Sequence, residues 1–246
     1  MGVSSMFIVI QKRHIICTAL FCCFFAGLAA VLWTGHSPSA PVFAARDGVP
    51  VTVVVDPGHG GEDGGAVGAD GAVESQINLS VALRVNDLLR FAGQQTIMTR
   101  TEDVSIHTEG TETMHQRKVS DLKNRVALVN ATENAVLLSI HQNSLPSSPV
   151  THGAQVFWNV GEDADVLAAS VQDALNAGIN QGNEKKPKKI PSNIYLTKNV
   201  TAPGIIVECG FLSNSEETAL LQEPSYQLRL AAAILAGFCG AGEDRT

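Results

Sequence analysis

Apolar positions fall into two regimes along this chain. From Ile15 to Trp33 they run almost unbroken and without a charge, behind Lys12 and Arg13. A run with no polar face suits a bilayer or an export pathway better than a surface helix. Its length is close to the ~20 residues that span a membrane, which favours a retained anchor. Val42-Phe43-Ala44 also fits a small-residue cleavage site, whose use would release a protein beginning near Ala45. On either reading the two basic residues stay cytoplasmic and the remainder lies outside, anchored to the cytoplasmic membrane or secreted across it.

After Val51 the pattern changes to short β-branched runs alternating with helical periodicity. Val51 to Val55 predicts a buried strand that ends at Asp56-Pro57-Gly58. Ile77, Val81, Val85, Leu88 and Leu89 predict a helix from Glu74 to about Phe91, with Gly93 as its stop. A strand over Thr96 to Thr99 follows, then a helix marked by Leu122, Val126 and Val129, then a strand over Val136 to Ile140. Further strands are expected at Gly153 to Trp158, Ile194 to Thr197 and Ile205 to Val207. Helices are expected at Ala164 to Ile179, Glu216 to Leu221 and Tyr226 to Phe238. Such alternation implies a single α/β domain, its sheet covered on both faces and its ligands at the strand ends. The expected organisation is a signal peptide or membrane anchor over 1–35, a Pro-, Ser- and Ala-rich linker over 36–50, and a folded domain over 51–241.

Charge narrows the partners. Residues 1–45 hold two basic and no acidic residues, which leaves 15 basic against 24 acidic in the remainder, a formal charge of −9. Nucleic acid is therefore not an expected partner. Cys17, Cys22 and Cys23 belong to the apolar segment, and the remaining pair, Cys209 and Cys239, makes no disulfide framework. The basic run Lys185-Lys186-Pro187-Lys188-Lys189 is expected to be an exposed loop near the cleft, solvated or in contact with an anionic wall polymer or a regulator.

Four polar residues stand where this topology gathers ligands. His59 follows the first strand, Glu74 opens the first helix, His141 follows the third strand, and Glu208 follows Ile205 to Val207. Two His and one carboxylate are a common hydrolytic zinc set with a position left for water. The glycines around His59 leave its ring uncrowded, and Glu74 at a helix start stays ionised readily. Spacing alone leaves the alternative open that these are hydrogen-bonded loop residues and a dipole-favoured helix-start carboxylate. The 56–65 stretch lacks the order and the lysine of a phosphate-binding loop.

Together Val55-Asp56-Pro57-Gly58-His59-Gly60-Gly61, Glu74-Ser75-Gln76-Ile77-Asn78, Ser139-Ile140-His141-Gln142-Asn143 and Val207-Glu208-Cys209-Gly210-Phe211-Leu212-Ser213-Asn214 resemble the zinc-dependent N-acetylmuramoyl-L-alanine amidases of the amidase-3 family, across about residues 50 to 240. Ile194 to Leu196, Asn199 to Thr201 and the short loop after Asn143 look most like its spore-cortex branch, whose members act with a deacetylase to make muramic δ-lactam. The resemblance implies a mostly parallel central sheet, zinc (Zn2+) on His59, Glu74 and His141, Glu208 as catalytic carboxylate, and peptidoglycan as substrate. Asn143 is a weaker candidate for holding substrate, and Asn78 and Arg125 for supporting the ligands or the fold. Gln142 and Cys209 depart from the usual small or aliphatic residues and bear on substrate preference. His107, His115 and His152 are expected in solvated loops. No long insertion separates His141 from Gly153, so control is expected from a separate protein activator. Rival readings are a wall carboxypeptidase with the same metal set, and a non-catalytic or partner-dependent wall-binding protein.

Overall fold

Thr52 to Pro57 form β1, the buried strand that the β-branched run predicts, and every later element is arranged around it. The computed structural model describes residues 50 to 241 apart from 160, 162 and 192. The expected anchor and nearly all of the expected linker lie outside the described residues. Among the described residues no helix is long and apolar enough to cross a membrane.

The chain continues through α1 (Glu74–Phe91), β2 (Gln95–Met98), α2 (Met114–Ala131), β3 (Ala135–Asn143), β4 (Gln155–Trp158), α3 (Ala164–Gly178), β5 (Lys188–Lys189), α4 (Tyr195–Asn199), β6 (Gly204–Phe211), α5 (Ser215–Gln222) and α6 (Pro224–Gly240). Local sequence sets several boundaries. Thr113 and Gln116 close a reciprocal capping box on α2, Asn214 caps α5 at Glu217, and Pro224 opens α6.

The strands form one sheet in the order β2-β1-β3-β6-β4-β5. β2, β1, β3 and β6 are mutually parallel, whereas β4 runs antiparallel to β6 and carries β5 parallel to itself. The sheet is thus mostly parallel, and the fold is a single α/β domain. Val53, Val55, Val136, Leu138, Ile140, Val156, Ile205 and Val207 bury one face beneath α1, α3 and α6. Period-2 alternation sends Val54 and Leu137 to the other face, where they meet Val129 of α2 and Leu196 of α4.

Three expectations change. Ile194 to Thr197 is no strand: residues 195–199 form α4, where burial of the adjacent Leu196 and Thr197 together with Val200 follows an i, i+1, i+4 pattern that a helix allows and strand alternation does not. Part of the lysine run is not loop, since Lys188 and Lys189 pair with Phe157 and Trp158. Nor is the sheet fully covered on both faces. Over β6 and β4 no helix among the described residues lies on the second face, and Ile206 and Phe157 line a cleft instead.

Candidate metal centre

β1 ends in a tight approach to β3. A Cβ on Gly58 would stand 2.2 Å from both Cε1 and Nε2 of His141, so only glycine lets this backbone pass the ring. The next residue, His59, adopts φ 60°, a left-handed conformation rare for a side chain that is not glycine. Two buried arginines hold it there. Arg125 donates to the carbonyls of Pro57 at 2.8 Å and His59 at 2.7 Å, while Arg100 donates to those of Pro57 and Gly58, both at 3.0 Å.

Arg125 is itself fixed by Asp56, 2.5 Å away, and by Asp121 at 2.6 Å. Asp56 also accepts from Thr99 and Ser139, each at 2.7 Å. Burial alone would raise the Asp56 carboxyl, but Arg125 and the two hydroxyls outweigh it and hold the group below the usual carboxylate range. This network spans β1, β3, α2 and the residue that follows β2, and its purpose in the fold is to set the loop that carries His59.

Glu74, at the first turn of α1, reaches under both imidazoles. Its Oε1 lies 3.0 Å from His141 Nδ1 and 3.3 Å from His59 Nε2, and accepts the backbone N–H of Gln142 at 3.1 Å. Oε2 accepts from Ala66 at 2.8 Å. Burial would raise Glu74, yet the hydrogen bonds from His141 and His59 keep it far below its ordinary value, so the group is an anion. Glu74 also explains Gly65, where a Cβ would meet Oε2 at 2.4 Å. His59 turns its Nδ1 to Asp63 Oδ2 at 3.0 Å, and Lys118 holds the same carboxylate at 3.0 Å. Burial would lower His59, but Asp63 and Glu74 raise it to about 9.

The donor atoms of His59, Glu74 and His141 lie within 4.8 Å of one another. Four-coordinate zinc with bonds of ~2.0–2.2 Å separates its donors by roughly 3.3–3.5 Å, close to the 3.0 and 3.3 Å between Glu74 Oε1 and the two imidazole nitrogens. A carboxylate behind a ligating imidazole, as Asp63 stands behind His59, also suits such a site. The residues present therefore fit a divalent metal.

Glu208 lies beside this cluster on β6, opposite His141 in register. Its Oε2 is buried with no hydrogen-bond partner among the described residues. Burial pushes the carboxyl up to about 7, with the Glu74 anion adding to the rise and the nearby imidazoles opposing it. His59, His141 and Glu208 open on one cleft of about 540 Å³, with Leu122, Phe157, Ile190, Ile194 and Tyr195 as its apolar walls, while Glu74 lies buried behind the two imidazoles.

The remaining sequence candidates lie elsewhere. Asn143 ends β3, accepts the backbone N–H of Ser144 on its Oδ1 and is absent from the cleft lining. Asn78 touches Glu74 and Gly58 from below. Gln142 and Cys209 alternate onto the opposite, buried face, so neither meets a substrate in the cleft. His115 lies in the first turn of α2, not in a loop, while His107 bonds Ser105 and His152 is exposed. Asp63 and Arg100 escaped the sequence reading. Arg125 left a signal: it shares the stripe of Leu122, Val126 and Val129, where a charge must find a buried partner.

Fold and site together define an α/β domain that gathers a metal-competent His, Glu, His cluster and a lone carboxylate at one end of its sheet. The chain belongs to the Amidase_3 family of N-acetylmuramoyl-L-alanine amidases, whose model matches residues 53–239. It is 40% identical over 185 residues to the germination-specific N-acetylmuramoyl-L-alanine amidase of Bacillus subtilis, covering 75% of this chain and 77% of that protein. The CwlD amidase of Clostridioides difficile, solved in complex with the GerS lipoprotein, is 34% identical with a TM-score of 0.72, over 76% of this chain and 95% of that one. An N-acetylmuramoyl-L-alanine amidase from Clostridium difficile 630 is 26% identical with a TM-score of 0.67, over 80% and 99%.

Proposed function

We propose that this protein hydrolyses the amide between the lactyl group of N-acetylmuramic acid and L-alanine in peptidoglycan, with zinc held by His59, Glu74 and His141. The observation that carries the reading is the unpartnered, buried Oε2 of Glu208 beside a metal-competent cluster in one cleft. A wall-binding module needs no such group, because an unsatisfied buried carboxylate lowers stability and is kept for chemistry.

When bound, zinc supplies Lewis acidity toward the scissile carbonyl and lowers the pKa of water. Glu208 takes the proton of the attacking water on Oε2, then hands it to the nitrogen of L-alanine, which must be protonated to leave. Burial raises this carboxyl in the metal-free protein, which favours its holding the proton between the two transfers. Asp63 orients His59, and the apolar walls exclude bulk water from the carboxylate.

The germination-specific relative supports a role in spore-cortex maturation, with muramic δ-lactam formation following from the cleavage. Residues 1–35 serve as the export or anchoring segment, 36–50 as a linker and 51–241 as the catalytic domain, so the enzyme acts outside the cytoplasmic membrane. Because the CwlD amidase was solved with a lipoprotein, we include an accessory protein in the reading.

The test is digestion of purified peptidoglycan with and without added zinc, followed by mass analysis. New L-alanine amines and free lactyl carboxyls, formed only with zinc, are the expected products. Cleavage within the stem peptide instead would move the assignment to a carboxypeptidase. Glu208→Gln is expected to bind zinc normally and lose at least ~100-fold in turnover.

A further inference from the structure

The lysines of residues 185–189 have no part in that chemistry and stand outside the residues that line the cleft, yet the sheet carries two of them to its outer edge. Cross-strand partners share a face of a sheet. Ile206 of β6 pairs with Phe157 of β4, and Phe157 pairs with Lys188 of β5. Since Ile206 and Phe157 line the cleft, Lys188 rises on the same face, at the outer strand. The neighbouring row repeats the arrangement. Glu208 pairs with Gln155, and Gln155 Nε2 donates to the carbonyl of Lys186 at 2.9 Å, which fixes Lys186 at the level of Glu208. Directly after β5, Ile190 and Pro191 become cleft wall, tied down by Ile190 N–H to the Trp158 carbonyl at 2.9 Å.

Both lysines are exposed. Lys118, across the cleft, is held by Asp63, whereas among the described residues Lys186 and Lys188 have no carboxylate partner. Two strand spacings and one two-residue step put Lys188 about 12 Å from Glu208 along the backbone, and its long stem shortens that reach. Between Glu208 and Lys188 lies the apolar floor of Ile206 and Phe157, while Gln155 stands between Glu208 and Lys186. The order from the reacting carboxylate outward is therefore anion, small uncharged surface, cations. A substrate complementary to it carries an uncharged residue at the scissile bond and an acid one residue further on.

Resting on the amidase reading, we propose that Lys186 and Lys188 form a carboxylate subsite for the peptide side of the scissile bond, selecting stems whose second residue bears a free carboxylate. The departing peptide lies across β4 toward β5, and the glycan leaves the cleft on the other side. In a domain of strongly negative formal charge, these cations give a local field of opposite sign at the place where the anionic peptide docks.

The experiment compares soluble glycan–peptide fragments that differ only in amidation of the second stem residue. Full-length protein is tested with zinc, by the rate of L-alanine amine release. The unaltered protein is expected to prefer the free carboxylate by about tenfold in kcat/KM, the worth of one charge-assisted contact. In Lys186→Ala/Lys188→Ala the preference falls to near one, while Lys186→Arg/Lys188→Arg retains it. Lys123→Ala, which removes an exposed charge from α2, leaves it as it was. A preference that survives the double alanine change overturns the subsite, as does an unaltered protein that cleaves both fragments equally. Equal loss on both fragments in the alanine variant would mark a general polyanion patch and also overturn it. Failure of the unaltered protein to cleave either fragment, with a lipoprotein of the GerS kind supplied, defeats the amidase reading and this proposal with it.

Discussion

At the scale of single residues, the site depends on side chains that never touch the reacting atoms. Gly58 is decisive because the smallest substituent there would occupy the ring of His141. Gly58→Ala is expected to retain the far-ultraviolet circular dichroism of the fold but to lose zinc in equilibrium dialysis. Asp63→Asn keeps the shape of the contact to His59 and removes its charge. Zinc affinity should fall roughly 10–100-fold, read by competition with a chelator. Glu208 carries the opposite kind of cost. Its folded pKa, about 7, lies above the ordinary value of 4.5, so in metal-free protein its contribution to stability is full below about pH 4 and is lost as pH rises through 7. Glu208→Gln is thus expected to stabilise chelator-treated protein at pH 8, by up to about 3 kcal/mol, and to give little at pH 4. A melting temperature unchanged at pH 8 would argue that this carboxyl is not held in a desolvated setting.

Among the elements, α2 shows how a helix can serve a loop. Its Arg125 joins Asp56 to the carbonyls of Pro57 and His59, and loss of one member leaves a buried charge without its partner. Arg125→Ala is expected to lower stability by about 3–5 kcal/mol near neutral pH, measured by urea denaturation. Asp56 is depressed in the folded state, so its contribution is present above about pH 4 and fades as pH falls through the folded pKa; the deficit of the variant should shrink at pH 3. Most of the elements were legible because their apolar periods were clean, as in Val53 to Val55 or the Ile77, Val81 and Val85 stripe. Ile194 to Thr197 was not, since its residues favour strands and only tertiary burial of the adjacent Leu196 and Thr197 with Val200 makes it helical. The three metal candidates and Glu208 were legible as polar residues beside apolar strand runs and at a helix start, although His141 and Glu208 lie within β3 and β6 rather than after a strand. Asp63 and Arg100 were not, because a hydrogen bond across dozens of positions leaves no periodic trace.

In the molecule as a whole, the cluster joins segments far apart in sequence: the loop after β1, the start of α1 and the end of β3. Metal binding should therefore stabilise the entire domain by mass action. Zinc at 100 times its Kd would contribute about 2.7 kcal/mol. For a domain of this size that is roughly a 5–10 °C rise in Tm, abolished in His59→Ala and reversed by chelator. The uneven cladding of the sheet carries a different consequence. Where three helices weigh on one side of β6 and β4, Val156, Ile205 and Val207 lock the strands in place, and a change there disturbs everything. On the bare side, Leu122, Ile194 and Tyr195 stand around the opening without holding the strands together. Such a division lets a lineage rewrite what its enzyme accepts, one rim residue at a time, while the machinery that cuts stays in register behind a wall that selection has no reason to move.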